Sequence, residues 1–391
     1  MKEIILSTSS LMIMSIGLHA KGDITPIEPQ VNTPTPHTKN QSKGFIKTVN
    51  GYVRIGYQHD DNSNTDLALG GKLHIETNVW YGLSVGASFY TSNKLRQNDG
   101  AGVPFFDANN HSYSILGEAY IEGNWGNSRL KIGRQEIDTP FADTDDIGMI
   151  PNTFEAVVLT NQDIEDTTIF LAQLQKWSGV DSDKPDIFTK LNDNNGVQVL
   201  GITYEGIKNT TFSGWFYHIQ NSVNVGYLDA SYEGENNTLT YSLTAQYSLQ
   251  EYKDNTRSTV YGIGGTLGLK NSALTTSIAY NKVKGRAADN FFGGGPYVTN
   301  AEHHTLSEAG RDGDDILYGL EWDASSAGLE GLVLSANIDR HTNGSKANTN
   351  EYDLVASYDY SKNLNFTAIY SDIDDTNDSF KNLRVFMNYT F

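Results

Sequence analysis

Acidic side chains are concentrated in one short segment of the chain, where four aspartates fall within nine positions. The candidate group is Arg134, Asp138, Asp143, Asp145, Asp146 and Glu155. If these carboxylates line a narrow, water-filled passage, they set a negative potential that concentrates cations and repels anions. A basic group facing them across the passage adds a transverse field that orients dipolar solutes. A solvated loop surface is the alternative interpretation of the same residues.

Two other segments contain residue types that bind metal ions. His303 and His304 are adjacent, so their rings point apart on an extended chain, and an ordinary polar loop is the favoured interpretation. Residues 311–315 are rich in aspartate but lack the spaced ligands and the closing glutamate of an EF-hand. The sequence therefore predicts no metal site and no cofactor, with a surface calcium or lipid-bridging ion at residues 311–315 as the alternative.

Long strands of alternating polarity are the elements that must position these residues. From Leu239 to Leu249 every second residue is apolar, and the residues between them are Thr, Ser or Gln. Since side chains alternate across a strand, one face is apolar and the other polar. The pattern runs from Thr238 to Gln250. That is longer than the ~5–6 residues usual in globular strands and matches the ~9–11 residues of a tilted strand that crosses a bilayer.

The same alternation recurs along the chain and predicts a transmembrane antiparallel β-barrel of about eighteen strands. The predicted strands are 46–58, 68–80, 82–92, 113–124, 128–136, 153–160, 165–176, 196–206, 210–218, 224–234, 238–250, 258–269, 273–284, 315–325, 331–340, 350–360, 364–373 and 382–391. Boundaries of this kind are uncertain by ~2–4 residues.

The length of each connection depends on whether it follows an odd-numbered or an even-numbered predicted strand. The long gaps, each after an odd-numbered strand, are 93–112, 137–152, 177–195, 285–314 and 341–349. Short turns such as 125–127 and 361–363 follow even-numbered strands. A barrel with both ends in the periplasm has this arrangement, with long extracellular loops and short periplasmic turns. The five prolines beyond residue 43 all lie in the long gaps, as expected if proline is excluded from strands.

Composition divides the chain of 391 residues into three parts. Residues 1–20 have a basic start and a short apolar core and end in a small residue, which predicts a cleaved signal peptide. Residues 21–43 carry four prolines among polar residues and are predicted to be a flexible lead-in. Residues 44–391 form the barrel. No later window holds the ~20 consecutive apolar residues of a spanning helix, which excludes a multispan helical protein.

The last predicted strand ends the chain on an aromatic residue. Phe391, Tyr389 and Met387 lie on one face of that strand. A terminal amphipathic strand with a final aromatic resembles the assembly signal of outer-membrane barrels. We therefore expect recognition by the barrel-assembly machinery.

Several motifs are similar to those of the OprD-like outer-membrane porin family. They are Gly133-Arg134-Gln135, Thr139-Pro140-Phe141, Asp145-Asp146, Pro151-Asn152-Thr153-Phe154-Glu155 and Gly294-Gly295-Pro296-Tyr297. The resemblance implies an eighteen-strand barrel over residues 44–391 in which loops 137–152 and 285–314 fold inward and narrow the pore. Members that favour carboxylate-bearing substrates have a ladder of basic residues on the pore wall. Here the late strands offer only Arg340 and Arg384 as clear candidates, so that specificity is not carried over.

Together these features predict a porin for passive diffusion of small hydrophilic solutes, mildly cation-selective, in the bacterial outer membrane. Outer-membrane lipid and lipopolysaccharide are the expected surroundings. A homotrimer is one possible assembly, and no nucleic-acid partner is expected. A channel specific for a small organic solute is the first alternative.

A barrel hydrolase is the second alternative. Such a site needs a nucleophile with a base held by a third group. The nine histidines are scattered, and no serine stands in a nucleophile-elbow motif, so no catalytic residue and no enzymatic activity are predicted.

Overall fold

A computed structural model describes residues 44–61, 65–96, 104–344, 348–375 and 379–391. Nearly all of the regular structure is β-strand. The strands are β1 (Ile46–Asp60), β2 (Thr65–Thr77), β3 (Leu83–Lys94), β4 (Tyr113–Trp125), β5 (Ser128–Gln135), β6 (Thr153–Asn161), β7 (Thr167–Ser178), β8 (Thr189–Lys190), β9 (Val197–Ile207), β10 (Thr210–Ile219), β11 (Val223–Glu235), β12 (Leu239–Tyr252), β13 (Arg257–Leu269), β14 (Leu274–Gly285), β15 (Asp314–Asp323), β16 (Leu332–Thr342), β17 (Asn348–Ser361), β18 (Leu364–Asp374) and β19 (Phe380–Thr390). Two short 3₁₀ helices span Leu306–Ala309 and Ala324–Ala327.

The sheet closes on itself, because β1 pairs with β2 on one side and with β19 on the other. At the end of this seam Phe391 and Gly51 exchange two backbone hydrogen bonds, of 3.0 and 3.2 Å. β7 pairs directly with β9, so the two-residue β8 lies outside a ring of eighteen antiparallel strands. A closed ladder leaves no unpaired strand edge, which is the condition for a sheet to cross hydrocarbon.

The two ends of the barrel differ. At the turn end, where β1 begins and β19 ends, connections are as short as the two residues 208–209 and 362–363. At the loop end, connections include 136–152 and 286–313. The turn end carries the exposed aromatics Trp80, Tyr81 and Trp125, as expected for rings at a membrane–water interface.

Alternation gives the wall an apolar outer face and a largely polar inner face. On the outside, Leu243, Ile263 and Leu354 are each more than half exposed. On the inward face Ser242 and Thr244 flank Leu243, and the polar residues Arg54 and Asp353 on that face are buried. This distribution is the reverse of a water-soluble sandwich, where the apolar face is inside.

Part of the inner wall is also apolar. Val158, Val199, Tyr217, Val225 and Tyr227 face inward on β6, β9, β10 and β11 and are buried. The residues that cover them include Ile137 and Phe141 of loop 136–152 and Tyr297 and Leu306 of loop 286–313. The loops therefore have a hydrophobic reason to fold into the barrel, since docking removes apolar surface from water.

The prediction of an antiparallel barrel of about eighteen strands is confirmed, and each predicted strand has its counterpart. β8 was not predicted. The predicted signal peptide at 1–20 and lead-in at 21–43 lie outside the described residues and stay predictions. Among the described residues, no helix is long and apolar enough to cross a lipid bilayer.

Replacing Leu243 with Arg tests the orientation of the wall. Leu243 is 58% exposed on the outer face of β12, so a charge there has to enter hydrocarbon. We expect the free energy of unfolding in lipid vesicles, measured by urea titration, to fall by roughly 2–4 kcal/mol. Thr244→Arg is the matched control, because its inward side chain stays in water. Equal losses for the two variants would contradict the assignment of the faces.

Candidate functional site

Loop 136–152 is fastened to the inner wall by Arg54. This residue projects inward from β1, and both members of its ion pair with Asp146 are buried, with side-chain exposures of 1% and 4%. Its Nη1 and Nη2 each donate to one carboxylate oxygen of Asp146 at 2.7 Å. Nη1 also donates to the carbonyl of Gly148 at 2.6 Å, and Nε donates to Asn388 Oδ1 at 2.6 Å. A bidentate arginine–carboxylate pair fixes direction as well as distance, so the loop is held in one orientation.

Loop 286–313 lies against the opposite part of the wall. Gln246 on β12 donates to the carbonyl of Pro296 at 2.6 Å, and Gln250 donates to Tyr297 Oη at 3.0 Å. Tyr297 is buried, and burial raises the pKa of its hydroxyl well above the ordinary value. Gly295 has φ of +78°, a conformation that favours glycine, and adding a side chain there brings it against Asn290.

The two loops also contact each other. Asp143 N donates to the carbonyl of Phe292 at 2.9 Å, and Phe292 N donates to the carbonyl of Phe141 at 3.3 Å. The ring of Phe141 meets Tyr217 and Tyr297 edge to face, with centroids 5.5 and 5.9 Å apart. The loops therefore form one packed body inside the barrel.

Ion pairs and hydrogen bonds to carboxylates hold residues 302–304 of loop 286–313 against the wall. Glu302 pairs with Arg384 at 3.0 Å, and burial raises the pKa of Glu302. Glu351 accepts hydrogen bonds from the backbone N–H groups of His303 and His304, both at 2.8 Å. Burial lowers the pKa of His303 to about 4. Burial also opposes the charged form of His304, but its contact with Glu351 outweighs this and raises its pKa.

The four loop aspartates singled out by the sequence are brought together but are largely enclosed. Asp143, Asp145 and Asp146 are 9%, 4% and 3% exposed. Asp138 Oδ1 accepts a hydrogen bond from Thr144 N at 3.3 Å. Burial raises the pKa of Asp138 to about 6. Asp138 stabilises loop 136–152 internally through Thr144, and Asp146 binds this loop to Arg54 of the wall. These structural roles add to any electrostatic effect of the carboxylates on a passing ion.

Arg134 and Glu155 lie elsewhere, contrary to the sequence expectation. They pair across β5 and β6 and share the strand parity of Ile132 and Val157, which are exposed on the outer face. Arg134 Nε lies 3.7 Å from Glu155 Oε2, and Lys176 Nζ lies 2.8 Å from Glu155 Oε1. The three residues form an ion-pair group on the outside, near the loop end.

In the second predicted group, Gly294 lies beside Asp145 of loop 136–152. A Cβ atom added at Gly294 would lie 3.4 Å from Asp145 Oδ2, so the two loops are in close contact here. Asn300 Nδ2 donates to the Gly294 carbonyl at 2.6 Å. The two arginines that were candidates for a basic ladder on the pore wall face opposite sides of the barrel wall. Arg384 faces inward and is buried, whereas Arg340 shares the outward parity of Ile338.

The inner-wall bases that sequence reasoning missed are on the early strands. Lys72 on β2 lies 2.9 Å from Glu118 and 2.7 Å from Glu136. On β5, Lys131 Nζ lies 3.7 Å from the centre of the Tyr120 ring. The alternation of polarity on β2 could have predicted the inward direction of Lys72. Lys72, His74 and Glu76 alternate with the outward-facing Leu73 and Ile75.

Breaking the Arg54–Asp146 pair should release loop 136–152. Removing one partner leaves the other charge buried and uncompensated, at a cost of about 3–5 kcal/mol. We expect Arg54→Met and Asp146→Asn each to lower the free energy of unfolding by that order, and the double variant to recover part of the loss. The measurement is a double-mutant cycle by urea titration. Arg134→Met is the control, because its partly exposed pair should contribute about 1 kcal/mol or less. Strict additivity would contradict the coupling.

The raised pKa of Asp138 predicts a pH dependence of loop docking. Because the folded pKa lies above the ordinary 3.8, the stabilisation is fully present below that value and is lost as the pH rises through about 6. We expect Asp138→Asn to be more stable than the wild type at pH 7, by up to about 2–3 kcal/mol, and to differ little at pH 4. Urea titrations at the two pH values measure this. The same difference at both values would contradict the assignment.

Comparison with known proteins agrees with this architecture. No individually curated protein shows significant sequence similarity to the chain. The structure of OpdK with vanillate, from Pseudomonas aeruginosa, is similar with a TM-score of 0.79 and 15% identity, covering 89% of this chain and 100% of that chain. A BenF-like porin from Pseudomonas fluorescens Pf-5 gives 0.78 and 13%, covering 89% and 100%. OccAB4 from Acinetobacter baumannii gives 0.74 and 14%, covering 88% and 97%.

The amino-acid sequence matches the model of a known protein family, and this match identifies the family. The profile described as outer membrane porin, OprD family, matches residues 80–391, which is most of the barrel. The closed ring of strands, the apolar outer face and the inward loops are the structural basis of that match. The chain belongs to the OprD family and is a porin of the bacterial outer membrane.

Proposed function

We propose that small hydrophilic solutes diffuse passively through this porin and that it mildly prefers cations. The observation that carries this is the charge of the inner face. Inward-facing carboxylates on β2, β4, β11, β15 and β17 include Glu76, Glu118, Glu122, Asp229, Glu233, Glu321, Glu351 and Asp359. Among the described strand residues they outnumber the inward-facing bases Arg54, Lys72, Lys94, Arg129, Lys131 and Arg384. A net negative lumen raises the local concentration of cations.

In this proposal loops 136–152 and 286–313 set the constriction, and the wall sets most of its field. Asp146, Asp145 and Asp143 keep the first loop in place, and Gly294 lets the second loop lie against it. The bases are gathered on β19 and β1–β5, and several of the acids lie on β15–β17. Glu76, Glu118 and Glu122 lie among those bases on β2 and β4, so acids and bases are only partly separated. We propose that this partial separation supplies part of the transverse field that the sequence had suggested for Arg134.

Neutralising two lumenal acids tests the selectivity. Glu321 and Asp359 face inward on β15 and β17 and lie outside the loop contacts described above. We expect the reversal potential of the wild type in a planar bilayer under a KCl gradient to show cation preference. Glu321→Gln with Asp359→Asn should shift it toward anions.

The matched control is Glu155→Gln with Asp372→Asn, which removes the same charge from the outer face. Its reversal potential should equal that of the wild type. Anion preference in the wild type, or the same shift in both double variants, would contradict the proposal.

A channel specific for a small organic solute is the second candidate. It is favoured by the Lys72 cluster, where a base on the inner wall lies between Glu118 and Glu136 and is 17% exposed. The related OpdK was solved with vanillate, which bears a carboxylate. Millimolar vanillate added to the bilayer chamber distinguishes the candidates, with the neutral vanillin as control. Block by vanillate alone favours the specific channel, and no block favours general diffusion.

We further propose that the protein has no catalytic role. Among the described residues, a histidine and a serine meet at His74 Nδ1 and Ser88 Oγ, 2.7 Å apart. Ser88 Oγ also donates to Glu118, so the serine stands between the base and the acid. A nucleophilic triad needs the histidine in that middle position. Ser88 is also wholly buried.

The assembly partners are proposals as well. Phe391 and Tyr389 are about half exposed on the outer face of β19, and Met387 shares their side. They are therefore open to the barrel-assembly machinery while the seam with β1 forms. The proposed homotrimer rests on the size class of the barrel, and single-channel openings in groups of three would support it.

A further inference from the structure

A group of metal-ligating side chains lies on the inner wall behind loop 286–313, beside the contacts that hold this loop. Asp315 on β15 stands directly opposite His341 on β16, and Asp339 is two residues before His341 on the same face. Each offers one ligand atom, and these atoms lie within 4.8 Å of one another. The backbone register fixes this meeting, because facing residues and their diagonal neighbours on paired strands are within side-chain reach.

All three side chains are withdrawn from water. Asp315 and Asp339 are 0% exposed and His341 is 2% exposed. Loop 286–313 passes close by, with the ring of His304 5.4 Å from that of His341. Buried carboxylates need compensation by a cation or by hydrogen-bond donors.

That compensation is incomplete within the described part of the chain. Neither oxygen of Asp315 accepts a hydrogen bond of ordinary geometry, and the same holds for Asp339 Oδ2. His341 Nε2 lies 2.7 Å from Asp339 Oδ2, and His341 Nδ1 lies 3.3 Å from Asp315 Oδ2. Neither ring nitrogen makes a hydrogen bond of good geometry at those distances.

The other charged groups in the neighbourhood have partners of their own, and the ring of His304 is directed to Glu351, with Nδ1 2.9 Å from Oε2. Glu351 is directly opposite Asp339 on β17 and accepts from the backbone of His303 and His304. The nearby base Arg384 is paired with Glu302. The pocket therefore contains an excess of carboxylate.

We propose that Asp315, Asp339 and His341 bind a divalent first-row transition-metal ion such as Zn²⁺. Donors about 2 Å from a tetrahedral ion are roughly 3.3 Å apart, which is within the spread of these atoms. Two carboxylates and an imidazole suit a borderline ion such as zinc better than Ca²⁺ or Mg²⁺, which prefer sets of oxygen ligands. One ring nitrogen ligates the ion, and the other donates to a carboxylate, the usual arrangement for a metal-bound histidine.

The ion would join β15 to β16 behind loop 286–313 and neutralise part of the buried charge. This inference does not depend on ion selectivity or on the permeant solute. It predicts metal binding to the folded barrel whether or not current flows.

The test uses the full mature chain, folded in detergent, stripped with EDTA and dialysed against Zn²⁺. We expect one tightly held equivalent of zinc in the wild type and its loss in His341→Gln and Asp315→Asn. His111→Gln is the matched control. It removes a histidine whose Nδ1 lies 3.5 Å from an aspartate on the exposed rim, and it should keep the equivalent. Heat-modifiable migration on gels shows which variants have folded.

Co²⁺ gives a readout that needs no variant. A four-coordinate site containing an imidazole gives intense visible d–d absorption, so a titration of the wild type should show a band that saturates at one equivalent and is displaced by Zn²⁺. The proposal is overturned if the wild type retains no zinc and shows no such band. It is equally overturned if folded His341→Gln binds as much zinc as the wild type, or if His111→Gln abolishes binding.

Discussion

Every backbone N–H and C=O group that faces lipid must find its partner within the protein, because hydrocarbon offers none. In this chain the requirement is met by joining β19 to β1, with Phe391 bonded to Gly51 at the end of the seam. Closure of the sheet then determines which side chains face the lumen and which face lipid. It creates an inside and an outside, so alternating sequences must place polar side chains in the lumen and apolar ones against lipid.

A second constraint acts inside the ring. A wide barrel leaves space, and here loops 136–152 and 286–313 occupy part of it through hydrophobic and ionic contacts. Phe141 and Tyr297 cover an apolar section of the wall, while the Arg54–Asp146 and Arg384–Glu302 pairs fix the two loops at defined points. Apolar burial supplies the driving force, and the buried ion pairs supply the direction. Loops that connect the strands of the barrel therefore occupy part of its interior.

The repetitive features were predictable and the long-range contacts were not. Strand alternation, loop parity and the exclusion of proline follow from local chemistry, so the eighteen strands could be found along the sequence. The orientation of Arg134 was also available from its parity with Ile132, but its closeness to the loop motif suggested otherwise. Arg54 meets Asp146, 92 positions away, only through the fold. The pairing of Asp315 with His341 likewise needs the register of β15 and β16.

The most direct test of a closed wall that is wet inside and apolar outside is cysteine accessibility along β12. The chain has no cysteine, so single replacements have no background. In lipid vesicles, cysteines at Thr240, Ser242 and Thr244 should react with a charged, membrane-impermeant thiol reagent, and those at Tyr241, Leu243 and Ala245 should not. Reaction at the inward positions should also reduce single-channel conductance in planar bilayers. Equal reactivity at consecutive positions would contradict the barrel and the transport role that depends on it.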